Sequence, residues 1–409
     1  VKPGLDRIAR MLEALGHPER GFPAIHVGGT NGKGSVVAML DAVLRTAGYR
    51  VGRFTSPQVV DFRDRISVGG HWLTEDEWAL GIERLAPLIE TMDDPPAQFE
   101  ATTALAFDAF SRYAVDLAAV EVGLGGRFDA TNLVQPILSI LTSIALDHTA
   151  ILGTSVEQIA WEKAGIAKAD APLLVGHLPK EALAVVEREC DAVGADLVHA
   201  ESVDVVPASQ TEQTARYSVD APGFPKTIDL SLLGGYQREN LRIVLSAIRL
   251  LRNRSLTIPS EAVEAGLRTV RWPGRFEVVR EAPTVILEGA HNVAAARALA
   301  ADLDRRRGDP TRRGLIFGAL ADKDAAGMLR ELAPRFGRFV LTQSDSPRAL
   351  PVDRLARIAD ELRIPASCYD SVEGALTASL SGSSPEDVWV VAGSLTVVAE
   401  ARRLFEVEK

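Results

Sequence analysis

The stretch VGGTNGKGSVVAML, Val27 to Leu40, gathers the residue types that phosphate chemistry needs. Glycines let the backbone turn its N–H groups inward, Lys33 adds a positive charge, and Ser35 adds a hydroxyl suited to Mg2+. A helical pattern follows, and a helix N-terminus favours anions. In the generic phosphate loop the hydroxyl directly follows the lysine. Here Gly34 stands between Lys33 and Ser35, and Val27 takes the slot of the first glycine. A plain turn would be the bland alternative, but strand, loop, lysine, hydroxyl and helix arrive in the order of a phosphate cradle.

Glu121 ends the apolar run LAAVEV, Leu117–Val122. An acid there is costly unless paired, protonated or bound to a cation; pairing with a core arginine is the structural alternative. Another apolar run, Ile137–Ile144, leads to Asp147 and His148 in SIALDHT. Imidazole serves many roles, and an oxygen-preferring Mg2+ takes it less readily than Mn2+ does. Glu162 and Lys163 in EQIAWEKAGIAK read from composition alone as two solvated charges, and Arg127 in GLGGR as part of a turn. LEGAHN places Glu288 and His291 just past a further apolar run, so a second polar set is expected to face the first across a hinge.

The elements that must position these groups alternate. Ala24–Val27 reads as a strand and Ser35–Ala47 as a helix closed by Gly48. Val51–Phe54, Leu117–Val122 and Ile137–Ile144 read as strands of a parallel sheet covered on both faces, with helices at Glu75–Ile89 and Phe99–Tyr113. Polar alternation from Asp204 to Leu233 suggests β-hairpins at the edge of the first domain, followed by helices Gln237–Leu251 and Ser260–Val270. RWPGR, Arg271–Arg275, interrupts the pattern as a hinge. Beyond it Thr284–Leu287, Gly314–Phe317, Phe339–Thr342 and Val388–Val391 read as strands of a smaller Rossmann-like domain. The expected fold is therefore α/β: a mostly parallel P-loop-type domain over 1–272 and a Rossmann-like domain over 273–409.

With 409 residues and 46% hydrophobic content the chain can build two real cores. A net charge of −10 argues against a nucleic-acid or anionic-membrane face. Cys190 and Cys368, far apart and outside any C-x-x-C, are expected to be ordinary buried thiols in a reducing cytoplasm. VKPGLDRIARMLEALG reads as an amphipathic helix rather than a signal peptide, and no run approaches the roughly 20 apolar residues of a membrane span.

Taken together the blocks GTNGKGS, TSP followed by FRDRI, FEATTALAF, EVGLGGRFDATN, LDHTAILG, WEKAGI, GGYQREN, WPGRFE, EGAHN, DKD and AGSLTVV resemble the folate branch of the Mur ligases, folylpolyglutamate synthase and dihydrofolate synthase, over the whole chain. The extra glycine after Lys33 looks like this branch's form of the phosphate loop. The resemblance implies an ATP-dependent amide ligase: ATP phosphorylates a carboxylate, glutamate attacks the acyl phosphate, and phosphate leaves. Bringing two anions together requires local positive charge in a closed site.

Matched residue by residue, the resemblance implies ATP contacts at Thr30, Asn31, Gly32, Lys33, Gly34, Ser35, Asn240, Arg275, Glu288 and His291, with ATP clamped between domains. It implies a metal set of Ser35, Ser56, Glu121, His148 and Lys163 for Mg2+, with Mn2+ able to substitute. Lys163 matches a carbamylated lysine beside the metal, which reverses its bland reading; Lys33, His148 and Lys163 are the catalytic set. Phe99, Glu100, Phe128, Asp129 and Ala130 match the pteridine side of the folate pocket. The sequence leaves open whether a monovalent cation assists. The family's DGAHN is EGAHN here, so Glu288 shifts its charge by one methylene; Gln58 and Gly28 also depart from the usual residues. Arg348 in SDSPRA is a candidate for the incoming glutamate carboxylate.

A folate or dihydropteroate and L-glutamate are the implied substrates, and a cytoplasmic monomer without nucleic-acid or membrane partners the implied setting. A bifunctional dihydrofolate/folylpolyglutamate synthase is the favoured reading, with folylpolyglutamate synthesis alone as its alternative. A muramyl ligase fits the blocks less well. A P-loop switch or kinase would account for Lys33 and Ser35 but not for EGAHN, and a folate-binding protein without catalysis would show no ATP turnover.

Overall fold

The computed structural model of the chain describes residues 4–211, 213–306 and 308–406. They fall into two compact units, 1–209 with 215–231 and 237–270, and 210–214 with 232–236 and 271–409. The first helix runs Asp6–Ala14 and buries Ile8, Met11 and Leu12; Val1, Lys2 and Pro3 of that expected helix lie outside the described residues. No helix among the described residues is long and apolar enough to cross a membrane.

The first unit is built on an eight-stranded sheet: β1 Ala24–Gly28, β2 Val51–Phe54, β3 Ile66–Val68, β4 His71–Trp72, β5 Leu117–Glu121, β6 Pro136–Leu141, β7 Leu173–Val175 and β8 Leu197–His199. Their order is β4-β3-β2-β5-β1-β6-β7-β8. Every pairing from β2 to β8 is parallel, and only β3 and β4 fold back antiparallel at one edge. Residues of β1 and β5 are buried without exception, as a doubly covered parallel sheet requires. One core joins Phe54, Phe107, Phe110 and Val120; another joins Leu141, Ile159, Val175 and Val186.

Residues 204–230 form a separate antiparallel sheet, β9 Asp204–Gln210, β10 Ala215–Asp220 and β11 Thr227–Leu230, in the order β11-β10-β9. The second unit holds β12 Glu277–Glu281, β13 Thr284–Leu287, β14 Arg313–Phe317, β15 Arg338–Thr342, β16 Ser367–Tyr369 and β17 Val388–Ala392, ordered β12-β13-β17-β14-β15-β16. All but the edge strand β12 run parallel. Each unit is thus an α/β layer. Cys190 is buried as expected, but Cys368 is exposed because it lies on the edge strand β16.

Two boundaries differ instructively from the sequence pattern. The helix expected from Ser35 starts at Lys33, because Gly32 turns left-handed at φ 91° and serves as its cap. Gly34 therefore occupies the first helical turn, so the extra glycine lengthens the helix start rather than the loop. The strand expected to reach Ile144 ends at Leu141, since Thr142 and Ser143 leave the ladder to bond the phosphate loop.

Candidate functional site

Four neighbouring strands, β2-β5-β1-β6, bring the polar residues to one end of the first unit's sheet. The loop after β1 is held from beneath. Thr142 Oγ1 donates to Asn31 O at 2.6 Å, Ser143 Oγ also reaches Asn31 O at 3.0 Å, and Asn31 N–H donates to Ser143 Oγ at 3.0 Å. Thr30 N–H donates to Ser143 O at 2.7 Å, and Thr30 Oγ1 accepts from Ala145 N–H at 3.1 Å. A Cβ on Gly29 would come within 2.0 Å of Thr142 Oγ1, and one on Gly32 within 2.4 Å of Asn240 Oδ1. The glycines are required by close approach, not only by turning. Lys33 Nζ donates to Thr30 O at 3.3 Å. Buried Ser35 receives the Gln237 side-chain amide at 3.4 Å, and Gln237 Oε1 in turn accepts from Asn240 at 2.8 Å.

On the adjoining strand Glu121 is 4% exposed and pairs in register with Val27. Its Oε2 accepts the Ser56 backbone N–H at 3.3 Å, which joins two members of the expected metal set. Arg53, mostly covered on β2, feels the charge of Glu121 and forms an ion pair with Asp41 at 3.7 Å. Past β6, His148 adopts a left-handed backbone at φ 49°, and its N–H donates to Asp147 Oδ1 at 2.8 Å.

Lys163 does not behave as a solvated charge. It is 5% exposed, and its Nζ donates to Gly29 O at 2.9 Å, directly under the phosphate loop. Burial, with the like charge of Lys33, brings its pKa down from 10.5 to about 7, against the pull of Asp147, Asp129 and Glu162. Glu162 is half-buried with its carboxylate beside the Gly125 turn, so on the helix Val156–Ala164 the two adjacent charges differ in depth.

Of the residues matched to the pteridine side, Phe128 is 47% exposed, whereas Asp129 and Ala130 are buried. The Asp129 carboxylate accepts from Leu124 N–H at 2.8 Å and Thr131 N–H at 3.0 Å, so it braces its own loop. Phe99 packs against Gly123, where a Cβ would meet the ring at 2.4 Å. Glu100 caps its helix through Ala97 N–H at 2.7 Å and takes Arg7 at 3.0 Å. Arg127 pairs with Glu189 and lies 4.0 Å over the Trp161 ring.

In the second unit Glu288 is buried at the end of β13. It accepts from Tyr236 Oη at 2.8 Å and Phe276 N–H at 2.9 Å. Burial raises its pKa to about 7, while Arg275, Tyr236 and Phe276 pull it down. A Cβ on Gly289 would meet the Arg275 guanidinium at 2.0 Å, which fixes that side chain beside the EGAHN turn. His291 Nδ1 lies 2.8 Å from Gly289 O, and Asn292 caps the helix Val293–Arg305. Arg348, the candidate for a glutamate carboxylate, is exposed and already bonds Asp322 at 2.9 Å.

The donor set of Ser35, Ser56, Glu121 and His148 holds two hydroxyls, one carboxylate and one imidazole. Among the described residues no group of three or more His, Cys, Asp or Glu forms a metal cage. Such a sparse set suits a cation that shares its sphere with phosphate oxygens and water. Thr142, Ser143 and Gln237 were not singled out by the sequence; hydroxyls just past a buried strand were the only signal.

The region 274–395 matches the family model for the Mur ligase, glutamate ligase domain. The chain is 38% identical over 358 residues to the Bacillus subtilis dihydrofolate synthase/folylpolyglutamate synthase, covering 85% of this chain and 83% of that protein. It is 39% identical over 411 residues to a probable bifunctional folylpolyglutamate synthase/dihydropteroate synthase of Haloferax volcanii, covering 98% of this chain but 48% of that protein, so it spans about half the Haloferax protein's length. A solved structure described as E.coli FolC in complex with DHPP and ADP superposes with a TM-score of 0.89 at 31% identity, covering 100% of this chain and 94% of the other.

Proposed function

Since the chain belongs to the dihydrofolate synthase/folylpolyglutamate synthase family of Mur ligases, we infer that it joins L-glutamate to a dihydropteroate or folate carboxylate at the expense of ATP. The observation that carries this reading is the convergence of the glycine turn, Ser56 and Glu121 at the ends of neighbouring strands, with Lys163 reaching Gly29 from the helix Val156–Ala164.

Lys33 and the N–H groups from Gly32 to Ser35 receive the triphosphate, Thr30 and Asn31 shape the turn through their bonds to Ser143, and Asn240, against Gly32, supports that loop. Mg2+, or Mn2+ in its place, held by Ser35, Ser56, Glu121 and His148, would supply a Lewis acid for the terminal phosphate. The acceptor carboxylate attacks the γ-phosphorus, ADP leaves, and the acyl phosphate retains the activated carbonyl. The glutamate amine then attacks that carbon, and phosphate departs as the amide forms. Lys33 steadies the charge that passes between these groups. Lys163 acts as its carbamate, formed from the neutral amine that burial favours. Phe128 and Phe99 offer ring surface to the pteridine, and Arg275, Glu288 and His291 are assigned to nucleotide binding. A monovalent cation completes the cofactors, and the protein works as a cytoplasmic monomer on both dihydropteroate and reduced folates.

Incubation with ATP, labelled glutamate and either dihydropteroate or tetrahydrofolate should yield ADP, phosphate and a heavier pterin with each acceptor. Slow ATP hydrolysis without amide product would mark a nucleotide switch instead. At the loop itself, Gly32→Ala should weaken ATP binding at least tenfold by calorimetry. A side chain at φ 91° costs ~1–2 kcal/mol, and its Cβ meets Asn240 at 2.4 Å. Unchanged affinity would move the nucleotide elsewhere.

A further inference from the structure

We propose that His26 is a positioning residue for the acceptor substrate, tying the interior of β1 to the loop that presents Phe128. The inference rests on the ligase reading and assigns a task to a side chain that no step of the reaction uses.

His26 is wholly buried in the middle of β1, opposite Val120 on β5 and Ser139 on β6. Its Nε2 lies 2.8 Å from Thr131 Oγ1, and Thr131 is also wholly buried. Thr131 Oγ1 is 2.5 Å from Asp129 Oδ1, which also accepts Thr131 N–H, while Asp129 Oδ2 accepts Leu124 N–H. The carboxylate accepts throughout, so the Thr131 hydroxyl donates to it and takes its own hydrogen bond from His26 Nε2–H. Burial, with the charge of Lys168, brings the His26 pKa down to about 3, so the imidazole is neutral and can carry its one proton on Nε2. Nδ1 then points a lone pair into the interior and meets no partner among the described residues.

That orphan nitrogen makes histidine a poor choice for packing alone, since an apolar side chain would fill the strand without it. What histidine adds is the tie to Thr131. Between Gly123 and Leu133 the chain must turn Phe128 outward while Asp129 and Ala130 turn inward. A slip of one residue would bury the ring and expose the acid. Two residues after His26, β1 ends in the phosphate loop, so one strand fixes both the nucleotide cradle and the acceptor loop.

Steady-state ligation with ATP, glutamate and dihydropteroate tests this on His26→Leu, His26→Gln and Thr131→Val. His26→Leu and Thr131→Val should each raise the KM for dihydropteroate about tenfold and leave the KM for ATP near wild type, Thr131→Val also melting a few degrees lower for its stranded His26 N–H. His26→Gln, whose amide can donate to the Thr131 hydroxyl, should restore most of the loss, and the double variant should be no worse than either single one. An unchanged dihydropteroate KM in Thr131→Val, or a fall in melting temperature alone, overturns the proposal. Should wild type itself prove inactive, the ligase reading fails separately. Hydrogen exchange over 123–133 then decides the tie: faster exchange in Thr131→Val supports it and equal exchange overturns it. The same exchange measurement decides if His26→Leu does not fold.

Discussion

Glu121→Ala should lower ATP-dependent ligation about a thousandfold while the protein melts at or above the wild-type temperature. The two halves of that result come from one placement. Glu121 sits at the carboxyl end of β5, 4% exposed, with the Ser56 N–H at 3.3 Å, and Arg53 answers first to Asp41. If Glu121 served chiefly as the counter-ion of a buried arginine, its removal would strand that charge and cost about 3–5 kcal/mol of stability. If it is kept for a cation, removing it takes away a buried acid and leaves the core no worse. Activity at increasing Mg2+ and a thermal melt of the same preparation separate these outcomes. Near-wild-type turnover at ordinary Mg2+ would take Glu121 out of the metal site.

Lys163→Ala should be inactive and should recover in part when acetate or formate is supplied, because a small carboxylate can occupy the place of the lost carbamate. The modification forms one N–C bond between the neutral amine and CO2 and releases one proton to solvent. An ordinary lysine is almost wholly protonated at neutral pH. Lys163, brought down to about 7 by burial and by Lys33, is substantially neutral there. Activity at fixed dissolved CO2 should therefore rise as pH climbs through 7, and in CO2-free buffer it should fall. Stability carries the same sign. Between about 7 and 10.5 the unfolded chain holds the lysine proton and the folded one does not, so the burial penalty fades as pH rises across that interval. Carbon NMR with isotope-labelled CO2 reads the carbamate directly; a bare amine under bicarbonate would remove it from the mechanism.

The glycine turn before the helix at Lys33 was legible because glycine, lysine and hydroxyl spacing encode backbone geometry locally. The βα alternation was legible because buried parallel strands leave near-continuous apolar runs. Side-chain direction was harder to read. Glu162 and Lys163 look alike in sequence, and only the packing of their helix shows that one stays half-buried beside Gly125 while the other is buried on Gly29 O. Phe128, Asp129 and Ala130 form one block, yet a tight turn exposes the first and buries the next two. Strands of two or three residues, such as β4, β7 and β16, carry too little pattern to announce themselves. Cys368 looked like a buried thiol because composition says nothing about sheet edges.

The phosphate loop has its supports far along the chain. Thr30 is bonded to Ala145, 115 positions on, and Gly29 to Lys163, 134 positions on. Such long-range closures form late and slowly, since loop entropy must be overcome before they reward the chain. A nascent polypeptide displaying only the glycine turn has nothing to hold it in shape, so nucleotide capture waits for nearly the entire first unit. Ligand then steadies that unit as a single cooperative block rather than a local segment, and protease resistance gained with ATP should extend from the residues around Gly29 to those around Lys163 together.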